Sequence, residues 1–187
     1  MRWDDLFADM EAQLAAAGQQ ALESEAAEQA RAEYSRVGVA DRLRAAHGAP
    51  VRALLAGGGH VEGRVRALGS DWVALEERGT EHLVPLGPVV WWELPGRGWA
   101  PGGGAVALRL GLGHALRTLG RARAGVRVRL AGGGPAGVLE GTIDGVGEDF
   151  FDLALHPGDD FRRRGSVRAV RAAPFRSVVC VSSLAGG

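Results

Sequence analysis

Two runs of three glycines are the residues of this chain that most closely match a phosphate-binding loop. Gly57–Gly59 stands in AGGGHVEGRV and Gly132–Gly134 in AGGGPAGVLEG. A phosphate loop needs a helix directly after the glycines, because the N–H groups of the helix N-terminus face the anion. Both runs lead instead into alternating apolar and polar residues, which are typical of a strand. We therefore predict hairpin turns at both positions, where positive φ angles cost glycine little.

The remaining reactive side chains show no catalytic or metal-binding pattern. The acidic pairs Glu76-Glu77 and Asp159-Asp160 point to opposite faces of a strand or lie in a solvated loop. The single cysteine, Cys180, stands in the apolar run SVVCVSSL without a positive neighbour that would stabilise a thiolate. The histidines do not have the spacing of metal ligands. They stand at positions 47, 60, 82, 114 and 156. We expect no enzyme activity, no catalytic residue, no metal and no cofactor.

The densest positive cluster is the candidate nucleic-acid site. Its proposed members are Arg121, Arg123, Arg162, Arg163, Arg164 and Arg168. Because affinity for phosphates rises with the number neutralised, these arginines favour contact with RNA or DNA. A solvated loop is the alternative, since Asp159 and Asp160 cancel part of the charge. All 22 basic residues are arginines, which indicates a GC-rich genome, so their number overstates selection for phosphate contacts.

The N-terminal segment predicts a long acidic helix. Residues 1–35 carry eight acidic and two basic side chains, and helix-forming residues dominate from Trp3 to Tyr34. Large apolar residues recur at helical spacing in the first turns, so they share one face. The candidate docking residues are Trp3, Leu6, Phe7 and Met10. Two interpretations remain open: this face packs on the rest of the chain, or it docks a protein partner.

The remainder of the chain repeats one unit. Each copy has a short helix, a strand, a glycine turn, further strands with an inner glycine, and a last apolar strand. The inner glycines are Gly63 and Gly141. The matched segments are 41–47 with 112–123, 51–56 with 126–131, 61–77 with 139–155, and 84–92 with 173–181.

Short strands with turns every 8–12 residues are typical of small closed barrels. We therefore predict a mainly β protein with an N-terminal α-helix and two tandem five-stranded barrels, each preceded by a short helix. The predicted domains are an acidic amphipathic helix (1–38), a first barrel (39–97), a linker (98–104) and a second barrel (105–187). The order of elements in each unit resembles the Sm-like barrel.

The chain departs from the Sm pattern at the RNA pocket. Sm-type proteins that bind uridine-rich RNA usually carry an Asp-x-Met-Asn-like stretch after the second strand and an Arg-Gly near the last. This chain has Asp71-Trp72-Val73 and Asp149-Phe150-Phe151 there, without asparagine, and no Arg-Gly at the matching end. The resemblance therefore implies the Sm-like fold more than the RNA pocket.

A narrower resemblance covers nearly the whole chain. The stretches RWDDLFADMEAQ, DRLRAAHGAPV, LGLGHALRTLGR and VRAVRAAPF resemble a family of actinobacterial proteins. Some of its members are described as Fis-like transcription regulators, which implies a helical DNA-binding domain. The alternating strands of this chain predict no such domain.

Composition limits the class of function. No apolar run approaches the roughly 18 residues of a membrane span, and the N-terminus has no signal-peptide pattern, so we expect no membrane contact. One cysteine fits a reducing cytoplasm. We expect a non-catalytic binding or adaptor protein whose acidic helix docks a protein partner or self-associates. The alternative is an RNA- or DNA-binding regulator that uses the arginines of the second unit.

Overall fold

A computed structural model describes residues 3–102, 110–155 and 169–184. The chain divides after Gly38 into two compact units. The first unit contains one long helix, α1 (Trp3–Tyr34). Its alanine, glutamate and glutamine residues lose little side-chain entropy in a helix, which explains its length. The predicted N-terminal helix is confirmed.

The described residues of the second unit, which spans residues 39–187, contain two short α-helices and ten strands. The helices are α2 (Val39–Ala45) and α3 (Leu112–Ala122), at the positions where the repeat predicted them. The strands are β1 (Pro50–Leu55), β2 (His60–Leu68), β3 (Trp72–Glu77), β4 (Thr80–Pro85), β5 (Val89–Glu93), β6 (Gly125–Leu130), β7 (Val138–Val146), β8 (Phe150–Leu155), β9 (Ala169–Pro174) and β10 (Val178–Ser183).

All ten strands form one open antiparallel sheet in the order β5-β1-β2-β3-β4-β10-β6-β7-β8-β9. The prediction of two closed five-stranded barrels is therefore wrong. The physical reason lies at the junction of the two halves, where β4 pairs with β10 through Leu83 opposite Val181 and His82 opposite Ser182. The backbone hydrogen-bonding groups at the edge of β4 are thus paired with a strand of the other half of the chain. We call this β4–β10 pairing the seam.

The repeat is visible in the strand order. In each half, the last strand lies beside the first, followed by the second, third and fourth. Strand β5 in the first half therefore corresponds to β10 in the second, and β4 corresponds to β9. The seam joins the fourth strand of one half to the last strand of the other.

Two hydrophobic clusters support the sheet, and the seam supplies residues to both. Val179 and Cys180 of β10 pack in the cluster of the first half, while Leu83 of β4 packs in the cluster of the second. Cys180 is fully buried, as its apolar surroundings in the sequence indicated. This exchange of apolar side chains couples the halves, because neither cluster is complete without a strand from the other half.

The first glycine run forms the predicted hairpin turn. Gly57, Gly58 and Gly59 have φ angles of 84°, 86° and 88°, which only glycine adopts easily. The turn joins β1 to β2, with Leu54 opposite His60. The phosphate-loop alternative is thereby excluded at this position, because a strand follows the glycines instead of a helix.

Candidate functional site

The apolar face of α1 is the first candidate site. The backbone of Trp3, Leu6 and Phe7 is helical, but their side chains lie outside the described part of the structure. Met10, the fourth predicted docking residue, is 50% exposed. Leu14 and Leu22, farther along the helix, are 71% and 64% exposed. Large apolar side chains that face water along a helix form a surface that can be covered by a partner.

A second candidate site is a groove of about 430 Å³ between α3 and β7, where three arginines converge. Arg121 and Arg123 were predicted, and the structure brings them together with Arg117. We call this site the arginine groove. Arg117 lies one helical turn before Arg121, and this i, i+4 spacing was the available signal for it. The other predicted arginines, at 162, 163, 164 and 168, lie outside the described residues.

The arginine groove carries an excess of positive charge. Its lining contains three arginines and one carboxylate, that of Asp144. Arg117 donates a hydrogen bond of 3.1 Å from Nη2 to the carbonyl oxygen of Gly147, which fixes its position against the sheet. Guanidinium groups bind phosphate oxygens in a bidentate geometry. The groove therefore has the chemistry to contact a phosphodiester backbone.

The seam contains a polar contact that the sequence did not predict. His82 Nδ1 lies 2.8 Å from Ser182 Oγ, and His82 Nε2 lies 3.6 Å from the nearer carboxylate oxygen of Glu77. A neutral imidazole protonated at Nε2 satisfies both contacts, because Ser182 then donates a hydrogen bond to Nδ1 while the Nε2 proton points toward Glu77. The side chain of His82 is only 12% exposed, so we interpret the contact as one that fixes the register of the seam.

The surroundings of His82 favour its neutral form. Burial lowers its pKa below the ordinary value of 6.5, and the nearby Arg129 lowers the pKa further, whereas Glu77 raises it. Burial outweighs the attraction of Glu77, because an imidazolium loses its water shell in this position. The Nδ1 atom of a neutral imidazole can accept a hydrogen bond from the Ser182 hydroxyl, whereas a protonated Nδ1 cannot, so the seam contact depends on the protonation state of His82.

The pKa of His82 predicts a pH dependence of stability. Because the folded pKa lies below the unfolded value of 6.5, the unfolded chain binds more protons between these two values. The contribution of His82 to the free energy of unfolding is complete above pH 6.5 and is lost as the pH falls toward the folded pKa. Chemical denaturation at several pH values across this range should show the loss as a falling free energy of unfolding. His82→Asn retains a polar group near the position of Nδ1 but does not titrate, so the part of the pH dependence that comes from His82 should disappear.

The start of α3 is tied to the first half of the sheet by two hydrogen bonds. The Leu112 backbone N–H donates to Asp71 Oδ1 at 2.8 Å, and Trp72 Nε1 donates to the carbonyl oxygen of Leu110 at 2.8 Å. A cavity of about 340 Å³ lies beside these bonds, with a mainly apolar lining that includes Leu83 and Leu119. The contacts position α3, and with it the arginine groove, relative to the seam.

Two further classes of site are absent from the described residues. Within 3–102, 110–155 and 169–184, no group of three histidine, cysteine or acidic side chains could hold a metal ion. No helix in this part of the chain is long and apolar enough to cross a membrane.

Comparison with known proteins yields no relative. No family model, no curated protein and no solved structure matches the chain.

Proposed function

We propose that this protein is a non-catalytic adaptor in which α1 docks a protein partner. The observation that supports this proposal is the exposed apolar face of a long helix that forms a unit of its own, with Leu14 71% exposed. Helices in proteins gain most of their stability by packing an apolar face. Covering Met10, Leu14 and Leu22 with a partner would supply that packing.

The charge of α1 indicates the chemistry of the partner. Between Trp3 and Tyr34 the helix carries eight acidic side chains and one basic side chain, Arg31. A groove with an apolar floor and basic rims would match this helix, because it buries the anchors and pairs the carboxylates. The partner of α1 is thus expected to be a protein with a basic helix-binding groove.

The first test compares the native full-length chain with two variants. The native chain is first used as bait to capture a partner, and the affinity of each of the three forms for the purified partner is then measured. Met10→Glu combined with Leu14→Glu places charge on the apolar face, while Ala16→Glu adds the same group on the opposite side of the helix. We expect the double variant to weaken binding of the purified partner by about tenfold or more, because truncated anchors commonly cost over 1 kcal/mol each. Isothermal titration calorimetry measures the change.

Circular dichroism shows whether the variants keep their helix, since glutamate is a good helix former. Equal affinities for the Met10/Leu14 double variant and the native chain would contradict docking through this face. A weakening by the Ala16→Glu control of the same size would indicate that charge alone, and not the apolar anchors, determines binding.

The arginine groove favours a second candidate function, contact with RNA or DNA. Fluorescence anisotropy with single-stranded RNA, single-stranded DNA and duplex DNA at several salt concentrations tests it. Arg121→Ala with Arg123→Ala should weaken binding and reduce the slope of log affinity against log salt by about 0.7 to 0.9 for each phosphate that is no longer neutralised. Arg97→Ala, an exposed arginine in a separate part of the chain, is the control. Absence of binding by the native chain at low salt would contradict this function.

A further inference from the structure

The two end strands of the sheet have free hydrogen-bonding edges among the described residues. There, β5 pairs only with β1, and β9 pairs only with β8. These strands correspond to β10 and β4, which pair with each other at the seam. We propose that β9 of one copy of this chain pairs antiparallel with β5 of a second copy, and so repeats the seam between chains.

The registers within the sheet define which residues of the last strands correspond. Trp92 lies opposite Ala53, and Val181 lies opposite Val128. Ala53 and Val128 are themselves matched by the sequence repeat. Trp92 therefore corresponds to Val181, and the next residue, Glu93, corresponds to Ser182.

The fourth strands are matched in the same way. Arg171 lies opposite Leu153 as His82 lies opposite Leu75. The two leucines are the positions that the sequence repeat aligns. Arg171 therefore corresponds to His82, and the following residue, Ala172, corresponds to Leu83.

These correspondences predict the register between chains. The seam places Leu83 opposite Val181 and His82 opposite Ser182. The same pairing between copies places Ala172 opposite Trp92 and Arg171 opposite Glu93. Directly opposed residues of antiparallel strands have neighbouring Cβ atoms, so the second pair joins opposite charges and the first sets a small side chain against a large one. The charges on the two free edges thus complement each other in the predicted register.

The exposure of β5 supports a second copy as the occupant. Val179 and Cys180 of β10 are 3% and 0% exposed, because the seam places them in the core cluster of the first half. The corresponding residues of β5, Val90 and Trp91, are 63% and 39% exposed. Strand β5 presents to water the positions that β10 buries. An edge with exposed apolar residues is a template for strand pairing.

The geometry of the contact is head to tail. Each copy offers one β9 and one β5, so the two surfaces in contact differ. Such heterologous contacts produce a closed ring when the rotation between copies closes and a filament when it does not. Association through these edges should therefore extend beyond a dimer.

Charge reversal across the predicted pair provides the test. Sedimentation velocity of the full-length native chain should show concentration-dependent association. Glu93→Arg places like charges opposite each other at every contact, and so does Arg171→Glu, so each variant alone should sediment as a monomer. An equimolar mixture should associate again, because every contact between the two variants joins opposite charges. Glu148→Arg, an exposed residue in the turn between β7 and β8, is the matched control and should associate as the native chain does.

Each outcome decides the proposal. The proposal is overturned if the native chain is monomeric. It is also overturned if neither charge reversal weakens the association, or if the equimolar mixture of the two variants stays monomeric. Thermal melts identify a variant that does not fold. In that case the double variant Glu93→Cys with Arg171→Cys provides the second measurement, since opposed strand positions lie within reach of a disulfide. Oxidation should then give a ladder of covalently linked chains on a denaturing gel. A single band of one chain would overturn the predicted register.

Discussion

Gly141→Ala should destabilise the sheet by about 3 kcal/mol or more, an effect at the upper end for a single substitution. A Cβ atom at this position would overlap the carbonyl oxygen of Ala154 on the neighbouring strand. The obstacle is backbone within the paired strands β7 and β8, so it cannot rotate away as a side chain would. Urea denaturation measures the destabilisation as a lower midpoint at an unchanged slope.

Gly145→Ala is the matched control on the same strand. Its added Cβ would lie 3.5 Å from Asp152 Oδ2, which is an ordinary contact with the end of a side chain. We expect a change within about 0.5 to 1 kcal/mol there, from propensity alone. Similar midpoints for Gly141→Ala and Gly145→Ala would contradict the close approach of the backbone at Gly141.

The same contact recurs in the first half of the sheet. A Cβ atom at Gly63 would lie 2.8 Å from the carbonyl oxygen of Glu76, on the strand that pairs with β2. Gly63 and Gly141 are also the inner glycines that the sequence repeat aligns. Their shared environment explains the match, because both glycines admit the close approach of a neighbouring strand.

Local patterns in the sequence predicted the elements of the fold. Alternation such as Val126, Val128 and Leu130 indicates which side chains face inward, and the glycine runs indicate where strands turn. Neither pattern specifies the partner of an edge strand, because every residue type except proline offers the same backbone donor and acceptor. The pairing of β4 with β10 in place of barrel closure therefore could not be predicted from alternation.

The candidate sites were predictable to different degrees. Charge density identified Arg121 and Arg123, and helical spacing identifies Arg117 once α3 is placed. His82 and Ser182 lie 100 residues apart in sequence, and only the seam brings them together. A contact between distant strands leaves no spacing signal in a single sequence. The protonation-dependent contact of the seam could therefore be identified only from the structure.

Val181→Asp should cost about 4 kcal/mol or more, since it places a carboxylate in the middle of the seam. Val181 is 2% exposed and lies opposite Leu83 in the core cluster of the second half. A buried carboxylate without a partner loses its hydration with little compensation. Val138→Asp is the matched control, because Val138 lies on β7 and is 44% exposed. There the change should remain within about 0.5 kcal/mol.

The shape of the Val181→Asp transition tests whether the sheet unfolds as one unit. Strand β10 contributes Val179 and Cys180 to the first cluster and Val181 to the second, so damage at the seam reaches both cores. We therefore expect one transition, shifted to lower urea and coincident by tryptophan fluorescence, which reports on the first half, and by amide hydrogen exchange of β6 to β8 in the second half. Two separate transitions would show that each half retains a stable core without the other. In that case the seam would join two independent sheets, and the cooperative ten-stranded unit inferred from the shared clusters would be wrong.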